Sequence, residues 1–315
     1  MSFMEIKDLR VHYPVRGGFF NTIVDHVHAV DGINMEFERG KTYGLVGESG
    51  CGKSTTGKAI IGLEKITSGQ IIYEGKNVTN QRRQRNSSYN RDIQMIFQDA
   101  HSSLNPRKRV QDILSEPIRN FLRMSDLEER RKINELLAIV GIPEDAKLKY
   151  PHEFSGGQKQ RIGIARAIAT NPKLIIADEP VSALDLSVQA QVLNFLKDIQ
   201  DELGLSYLFI SHDLGVVKHM CDHISIMYKG RFVESGSKKD IYQNPQHIYT
   251  KRLLSAIPNI EPESRVERKI ERINVEKNYQ LDHHQYFDSN GRVYDLQSIS
   301  DTHAVAKTDK VEGVI

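Results

Sequence analysis

Among the residues of this chain, Gly47, Gly52, Lys53 and Ser54 are the best spaced for chemistry, within GLVGESGCGKSTTGKAI from Gly44 to Ile60. Their order is G-x-x-x-x-G-K-[ST], the pattern of a phosphate-binding P-loop. A chain of 315 residues meets it by accident roughly one time in a hundred, so context has to decide. The context is right: an apolar run, YGLVG, precedes the turn and a helical stretch, KSTTGKAIIGL, follows it. Successive backbone N–H groups over Gly47, Glu48, Ser49, Gly50, Cys51, Gly52 and on to Thr55, with the positive end of the helix dipole, would form a pocket for phosphate oxygens. Lys53 would bridge the β and γ phosphates, and Ser54 would ligate Mg²⁺. Cys51 reads as a small residue where the backbone does the binding, since a reactive thiol needs exposure and a lowered pKa.

Two further stretches extend this chemistry. KLIIADEP, from Lys173 to Pro180, is an apolar strand ending in adjacent carboxylates. Neighbouring side chains at a strand end diverge, so Asp178 can face the Mg²⁺ shell while Glu179 faces the water that attacks the γ-phosphate. HEFSGGQKQRIGIARAIA, from His152 to Ala169, places Ser155, Gly156 and Gly157 ahead of a helical run with Ile164, Ala167 and Ile168 on one face. That is a second exposed helix N-terminus able to receive phosphate. One triphosphate does not need two.

The elements that must position these residues can be read from apolar patterning. YGLVG, LIIAD and YLFIS are continuous rather than alternating, which predicts strands buried on both faces of a parallel sheet covered by helices. Val188, Val192, Phe195, Leu196 and Ile199 follow helical spacing, with Ser187 placed to cap the start and Gly204 just past the end. From about residue 100 to 170 lies a helical block. In it Ile133, Leu136, Leu137 and Val140 share a face, and Glu128 precedes Lys132 by one turn on the solvated side. Phe3 to Glu38 and GQIIYEGKNV alternate between glycines, predicting an antiparallel β layer. The fold class is therefore α/β: a P-loop core of mainly parallel sheet with helices, an antiparallel β layer and an inserted helical subdomain.

Composition sets the outer limits. At roughly 150 residues per domain the chain makes about two domains, or one large domain with an appendage. Lys and Arg number 43 against 41 Asp and Glu, and the net charge of +2 gives no basic field for nucleic acid. Two cysteines make no disulfide framework, and MSFMEIKDLR lacks the layout of a signal peptide, so a cytosolic chain is expected. No apolar run approaches the ~20 residues of a membrane-spanning helix, so any membrane role comes through a partner.

SGGQ resembles the signature of the ATP-binding cassette family, in which such a nest closes on the ATP held by the P-loop of an opposed subunit. Other marks are similar. QMIFQD supplies Gln98 for the glutamine loop, as a catalytic and metal-shell residue. SALD supplies Asp185, FISHD supplies the switch histidine His212, and Tyr13 in RVHYPVRGG resembles the aromatic that stacks on adenine. With Gln158 these complete the nucleotide contacts that the resemblance implies. The resemblance covers residues 1–258, implying a nucleotide-binding domain there and an appendage over 259–315. Family members used in DNA repair, chromosome structure or translation typically carry coiled-coil or zinc-bearing insertions or two cassettes, which this chain lacks.

PVRGGFF, SSLNPR and YTKRLLSAIP look like the ATPase subunits of bacterial oligopeptide and dipeptide importers, particularly the F-type member of a D/F pair. The resemblance implies ATP and Mg²⁺ as cofactors, and a D-type ATPase, two membrane permeases and an extracellular substrate-binding lipoprotein as partners. It implies a peripheral place on the cytoplasmic face of the membrane, touched only through the permeases, and no nucleic acid. Similar ATPases serve nickel chelates and glutathione-like compounds; a non-transport cassette ATPase and a catalytically silent regulatory subunit are the competing classes. Phe154 stands where a leucine usually precedes SGGQ, a variation similar to this subgroup, while Ala100 and His101 depart from relatives in the loop expected to feel the membrane subunit. No cysteine follows Cys221, which excludes an iron–sulfur centre.

Three remaining stretches complete the reading. Arg82, Arg83 and Arg85 form a short charge run read as a solvated face, and His283 and His284 lack further metal ligands at useful spacing. In the appendage, Tyr294, Leu296 and Ile299 predict short extended segments with a turn at Asn290-Gly291. A unit so small cannot fold alone, so it is expected to dock as an extended appendage on its own or a partner's cassette, leaving the nucleotide chemistry untouched.

Overall fold

A computed structural model describes residues 2–79, 87–99, 103–257 and 265–308. Arg82, Arg83, Arg85, Ala100 and His101 lie outside the described residues.

Two sheets carry the molecule. The first holds β1 (Ser2–Gly17), β2 (Thr22–Glu38), β4 (Ser68–Tyr73) and β5 (Lys76–Asn77) in the antiparallel order β2-β1-β4-β5. The second is eight-stranded, in the order β11-β12-β10-β9-β3-β8-β7-β6. Its members are β3 (Thr42–Val46), β6 (Ile93–Ile96), β7 (Leu174–Asp178), β8 (Ser206–Ser211), β9 (His223–Tyr228), β10 (Arg231–Ser237), β11 (Leu296–Ser298) and β12 (Ala304–Ala306). From β6 to β9 all pairings are parallel; β10, β12 and β11 then add antiparallel. Every residue of β7 and β8 is buried, as their unbroken apolar runs require of a doubly covered sheet. One apolar core fills the space between this sheet and the helical block, and a second lies between it and the antiparallel layer.

The helices are α1 (Lys53–Ile61), α2 (Ser87–Asp92), α3 (Val110–Phe121), α4 (Asp126–Ile139), α5 (Gly156–Ile168), α6 (Leu186–Leu203), α7 (Leu214–Met220), α8 (Lys238–Gln243), α9 (Ile248–Ser255), α10 (Arg265–Leu281) and α11 (His283–Tyr286). Helices α3 to α5 stand between β6 and β7 in the chain. In α4, Ile133, Leu136 and Leu137 are buried as the spacing predicts, and so is Val140 at its C-terminal cap. Glu128 does not pair with Lys132: its carboxylate turns back to accept from the Ser125 N–H at 2.7 Å, closing a capping box that satisfies two orphan donors. Helix α6 starts two residues earlier than Ser187 implies. Asp185 is the cap, its carboxylate accepting from Val188 N at 3.0 Å, and Ser187 donates to that same carboxylate.

The appendage differs most from its sequence reading. Residues 265–281 form a helix, α10, a stretch for which no element type was read from the sequence. Its apolar positions are buried only in part: Ile270 and Ile273 are exposed, while Val275 and Tyr279 are half-buried and Tyr279 packs against Phe287. Leu296 does lie in a strand and Gly291 does turn, at φ 70°, closing an isolated bridge between Phe287 and Val293; Ile299 falls just outside β11.

Candidate active site

Strand β3 runs up the middle of the parallel sheet and releases the chain at Val46 into the P-loop, which re-enters as α1 at Lys53. The loop is packed from behind. A Cβ at Gly47 would collide with the Met227 carbonyl, and one at Gly52, whose φ is 112°, with the Ala29 carbonyl, so neither position admits a side chain. Gly230 N–H donates to the Cys51 carbonyl at 2.9 Å, tying the loop to the β9–β10 turn. Cys51 is buried and burial pushes its thiol pKa up, the reverse of a reactive thiol.

In front of the loop opens a cleft of about 530 Å³, lined by Gly47, Glu48, Ser49, Gly50, Gly52, Lys53, Ser54 and Thr55, with Gln98, Glu179 and His212 on the facing side. Lys53 is buried, and its ammonium donates to the carbonyls of Gly47 at 2.7 Å and Glu48 at 2.9 Å. Ser54 Oγ donates to Asp178 Oδ1 at 2.8 Å. Asp178 ends β7 and is buried, and burial raises its carboxyl pKa against the opposing pull of the Ser54 hydroxyl. Glu179 turns away from it. Its backbone is left-handed, φ 45°, which for a residue with a Cβ costs about 1–3 kcal/mol and is held by its N–H donating to the Ile210 carbonyl at 2.9 Å. That bend brings its carboxylate between two partners: Gln98 Nε2 donates to Oε2 at 2.8 Å, and His212 Nδ1 lies 3.0 Å from Oε1.

Other expected contacts sit elsewhere. Tyr13 is half-exposed on β1 and does not line the cleft; burial, with Glu64 nearby, raises its phenol pKa. Ser155, Gly156, Gly157, Gln158 and Asp185 do not line the cleft. They lie together, because Ser155 and Gln158 form the capping box that starts α5, and a Cβ on Gly157 would stand 2.8 Å from a methyl of Val188, the residue whose N–H Asp185 caps. Ser155, Gln158 and Asp185 are exposed, and Leu186 beside them is 84% exposed.

The sequence reading missed Ala29 and Leu253, which also line the cleft, and Tyr249, whose hydroxyl accepts from Glu48 N at 3.3 Å. They arrive from β2 and α9, far along the chain, and nothing local marks them. Of the remaining candidates, His283 stacks on Phe287 and His284 Nδ1 lies 3.1 Å from the Leu281 carbonyl. Elsewhere His12, His28 and Asp31 converge, but Arg10, Arg231 and Arg292 already meet the Asp31 carboxylate, so the group is cationic and repels a metal ion. No helix among the described residues is long and apolar enough to cross a membrane.

Residues 30–182 match the family model described as ABC transporter, and residues 233–285 match that for the oligopeptide/dipeptide transporter C-terminal region. The oligopeptide transport ATP-binding protein OppF of Lactococcus lactis subsp. lactis (strain IL1403) is 57% identical over 97% of this chain and 96% of its own length. The dipeptide transport ATP-binding protein DppF of Escherichia coli (strain K12) is 49% identical over 84% of this chain and 79% of its own. Among solved structures, the dimeric ATP-binding cassette MJ0796 in a post-hydrolysis state bound to ADP and Pi superposes with a TM-score of 0.66 at 27% identity, over 75% of this chain and 98% of that one.

Proposed function

The chain belongs to the family of oligopeptide and dipeptide transport ATP-binding proteins of ABC transporters, and on that footing we propose that it hydrolyses ATP to drive peptide import through separate permeases. The observation that carries the chemistry is Glu179, bent out of β7 into the P-loop cleft and held at both carboxylate oxygens.

In this reading Lys53 leaves the Gly47 and Glu48 carbonyls to meet the β and γ phosphates, and the backbone N–H groups of the loop other than that of Glu48, which donates to the Tyr249 hydroxyl, meet the rest. Glu179 accepts the proton of the attacking water, while Gln98 and His212 hold the carboxylate toward it. Tyr13 stacks on adenine. Ser54, Asp178 and Gln98 would hold Mg²⁺. The donor set fits a hard cation, because Asp178 is buried with its carboxylate on Ser54 and no Lys or Arg among the described residues pairs with it. Bound there, the ion neutralises charge on the phosphate oxygens.

The α5 nest, with Ser155, Gly157 and Gln158, and the neighbouring Asp185 serve the ATP of an opposed subunit, a D-type ATPase in a heterodimer. ATP binds the closed pair better than the open one, so binding draws the subunits together and hydrolysis releases them. The domain division is a cassette over 1–258, with its helical subdomain near 100–170, and an appendage over 259–315. A substrate-binding lipoprotein delivers peptide, and the chain sits on the cytoplasmic face through its permeases. Nickel chelates or glutathione-like compounds are the alternative cargo. Uptake of labelled oligopeptides, dipeptides and these alternatives, compared before and after deletion of the gene, tests the reading; undiminished peptide uptake would sink it.

A further inference from the structure

We propose that residues 265–308 are a working part of the nucleotide site of their own chain, and that Tyr249 is the positioning residue through which they set the affinity of the P-loop for ATP. The sequence reading had this segment leave the nucleotide chemistry untouched. Its contacts lead toward the loop's immediate neighbours.

The first link is the Tyr249 hydroxyl accepting from Glu48 N, at the entry of the loop. The Glu48 carbonyl in turn holds the Lys53 ammonium, so the position of Tyr249 is felt one residue from the group that meets phosphate. Tyr249 is fully buried in α9 and has no freedom of its own. Its ring meets Tyr228 at 4.8 Å between centroids, and its N–H donates to His247 Nδ1 at 3.0 Å. Both neighbours are sealed by the appendage: Phe287, 2% exposed, packs edge-on to Tyr228 at 5.4 Å and to His247 at 5.5 Å. Burial lowers the His247 pKa to about 3, so the ring that orients Tyr249 stays neutral at physiological pH.

A second branch is independent of the first. Arg292 of the appendage pairs with the buried Asp31 at 2.7 Å; Asp31 N–H donates to the Gly230 carbonyl at 2.8 Å, and Gly230 N–H to the Cys51 carbonyl within the loop. A third holds α9 itself, whose Leu253 lines the cleft. Arg252 pairs with Glu276 of α10 at 3.0 Å, and Arg272 of α10 donates to the Ser255 carbonyl at 2.7 Å. Finally β12 pairs with β10, and His303 meets Glu234 at 2.7 Å, whose carboxylate also accepts from the Gln246 and His247 N–H groups ahead of α9. A segment that merely filled a hollow would end at the aromatic cluster. This one is linked to the loop at Glu48 through Tyr249 and at Cys51 through Asp31 and Gly230.

The inference rests on ATP occupying the P-loop cleft, and the experiment keeps the two apart: a full-length parent that fails to bind a fluorescent ATP analogue defeats that premise, whereas the variants test the coupling. Tyr249→Phe keeps the ring and loses only the hydroxyl acceptor. It should weaken analogue binding about three- to tenfold, the worth of one hydrogen bond, and speed amide exchange at Glu48, with the melting temperature lowered by no more than a few degrees. Phe287→Ala should weaken binding in the same direction, with a smaller effect in the Tyr249→Phe background than in the parent, because both act through one contact. Phe287→Leu, which retains most of the volume, should restore most of the affinity and serves where the alanine variant is too unstable to purify. Binding within twofold of the parent for Tyr249→Phe, or purely additive effects, would overturn the proposal.

Discussion

The turns at Gly47–Ser54 and at Ser155–Gln158 are built alike, each a glycine-rich entry into a helix with backbone N–H groups pointing out, yet the fold treats them oppositely. The first sits at the end of the central strand with carbonyls of Ala29 and Met227 packed against its glycines and Lys53 buried in it. The second is on the surface, its Ser155 and Gln158 exposed and bonded chiefly to each other, with Asp185 and an 84% exposed Leu186 alongside. A phosphate site needs donors and also walls that exclude water and oppose the ligand. The P-loop has its walls within the chain: Gln98, Glu179 and His212 face it across the cleft. Among the described residues, the α5 turn has donors without a facing wall.

The sharpest test of that contrast is at Glu179. Changing it to Gln should leave ATP binding intact and reduce hydrolysis by about 10²- to 10⁴-fold in the assembled transporter, followed by phosphate release. Turnover at the parental rate would take the base role away from the P-loop side altogether. Lys53→Ala should cost nucleotide affinity on the order of a hundredfold, because it removes charge-assisted bonds to two phosphates, and equilibrium binding on the isolated chain reads this directly.

At the second turn the effect should be smaller and should appear only in the pair. Gly157→Asp is a poor probe, since its Cβ would press on Val188 within the same chain. Gln158→Glu is cleaner: a glutamate in that position still accepts from Ser155 N–H and keeps the capping box, while adding negative charge to the nest. ATP binding by the isolated chain should be unchanged. Closure with the partner ATPase should weaken on the order of tenfold, seen as nucleotide trapping lost at the partner's P-loop. Loss confined to this chain's own Lys53 site would show that both turns serve one triphosphate.

The smallest effect concerns Asp178, the carboxylate beneath Ser54 of the P-loop. Burial raises the Asp178 pKa above its unfolded value, so its ionised form works against folding at neutral pH, and that cost disappears as pH falls through the raised pKa. Asp178→Asn should therefore melt slightly higher than the parent without metal or nucleotide at neutral pH, by a few degrees at most, with the gap closing on acidification. A gap that widens in acid would contradict a carboxylate whose burial outweighs its hydrogen bond from Ser54.

Much of this was legible because it is local. The strand runs YGLVG, LIIAD and YLFIS, the P-loop spacing and the left-handed Gly204 that ends α6 all state their conformation within a few residues. Near misses were also local: Ser187 and Asp185 are both good caps, and only the carboxylate accepting from Val188 N selects between them. Glu128 had two partners in reach, Ser125 and Lys132, and took the backbone one. Helix α10 escaped notice because its apolar residues are few and only Val275 and Tyr279 among those described turn partly inward, too weak a stripe to stand out from the charged residues around them.

What the chain determined by itself is its inventory of chemistry: a loop for phosphate, a carboxylate pair after a strand, a second nest, a glutamine and a histidine at strand ends. Only the tertiary structure decided how these combine. The parallel order of β6, β7, β8 and β3 sets Gln98, Glu179 and His212 on one edge opposite the P-loop, and leaves the SGGQ turn outside that cleft. It also carries Phe287 and Arg292 back across the chain to reach, through Tyr249 and Asp31, the loop that begins at Gly47. Motifs are written over a few consecutive residues, where backbone sterics and hydrogen-bond geometry act. Contacts between distant segments depend on which strands pair and which faces are buried, and that is a property of the whole fold.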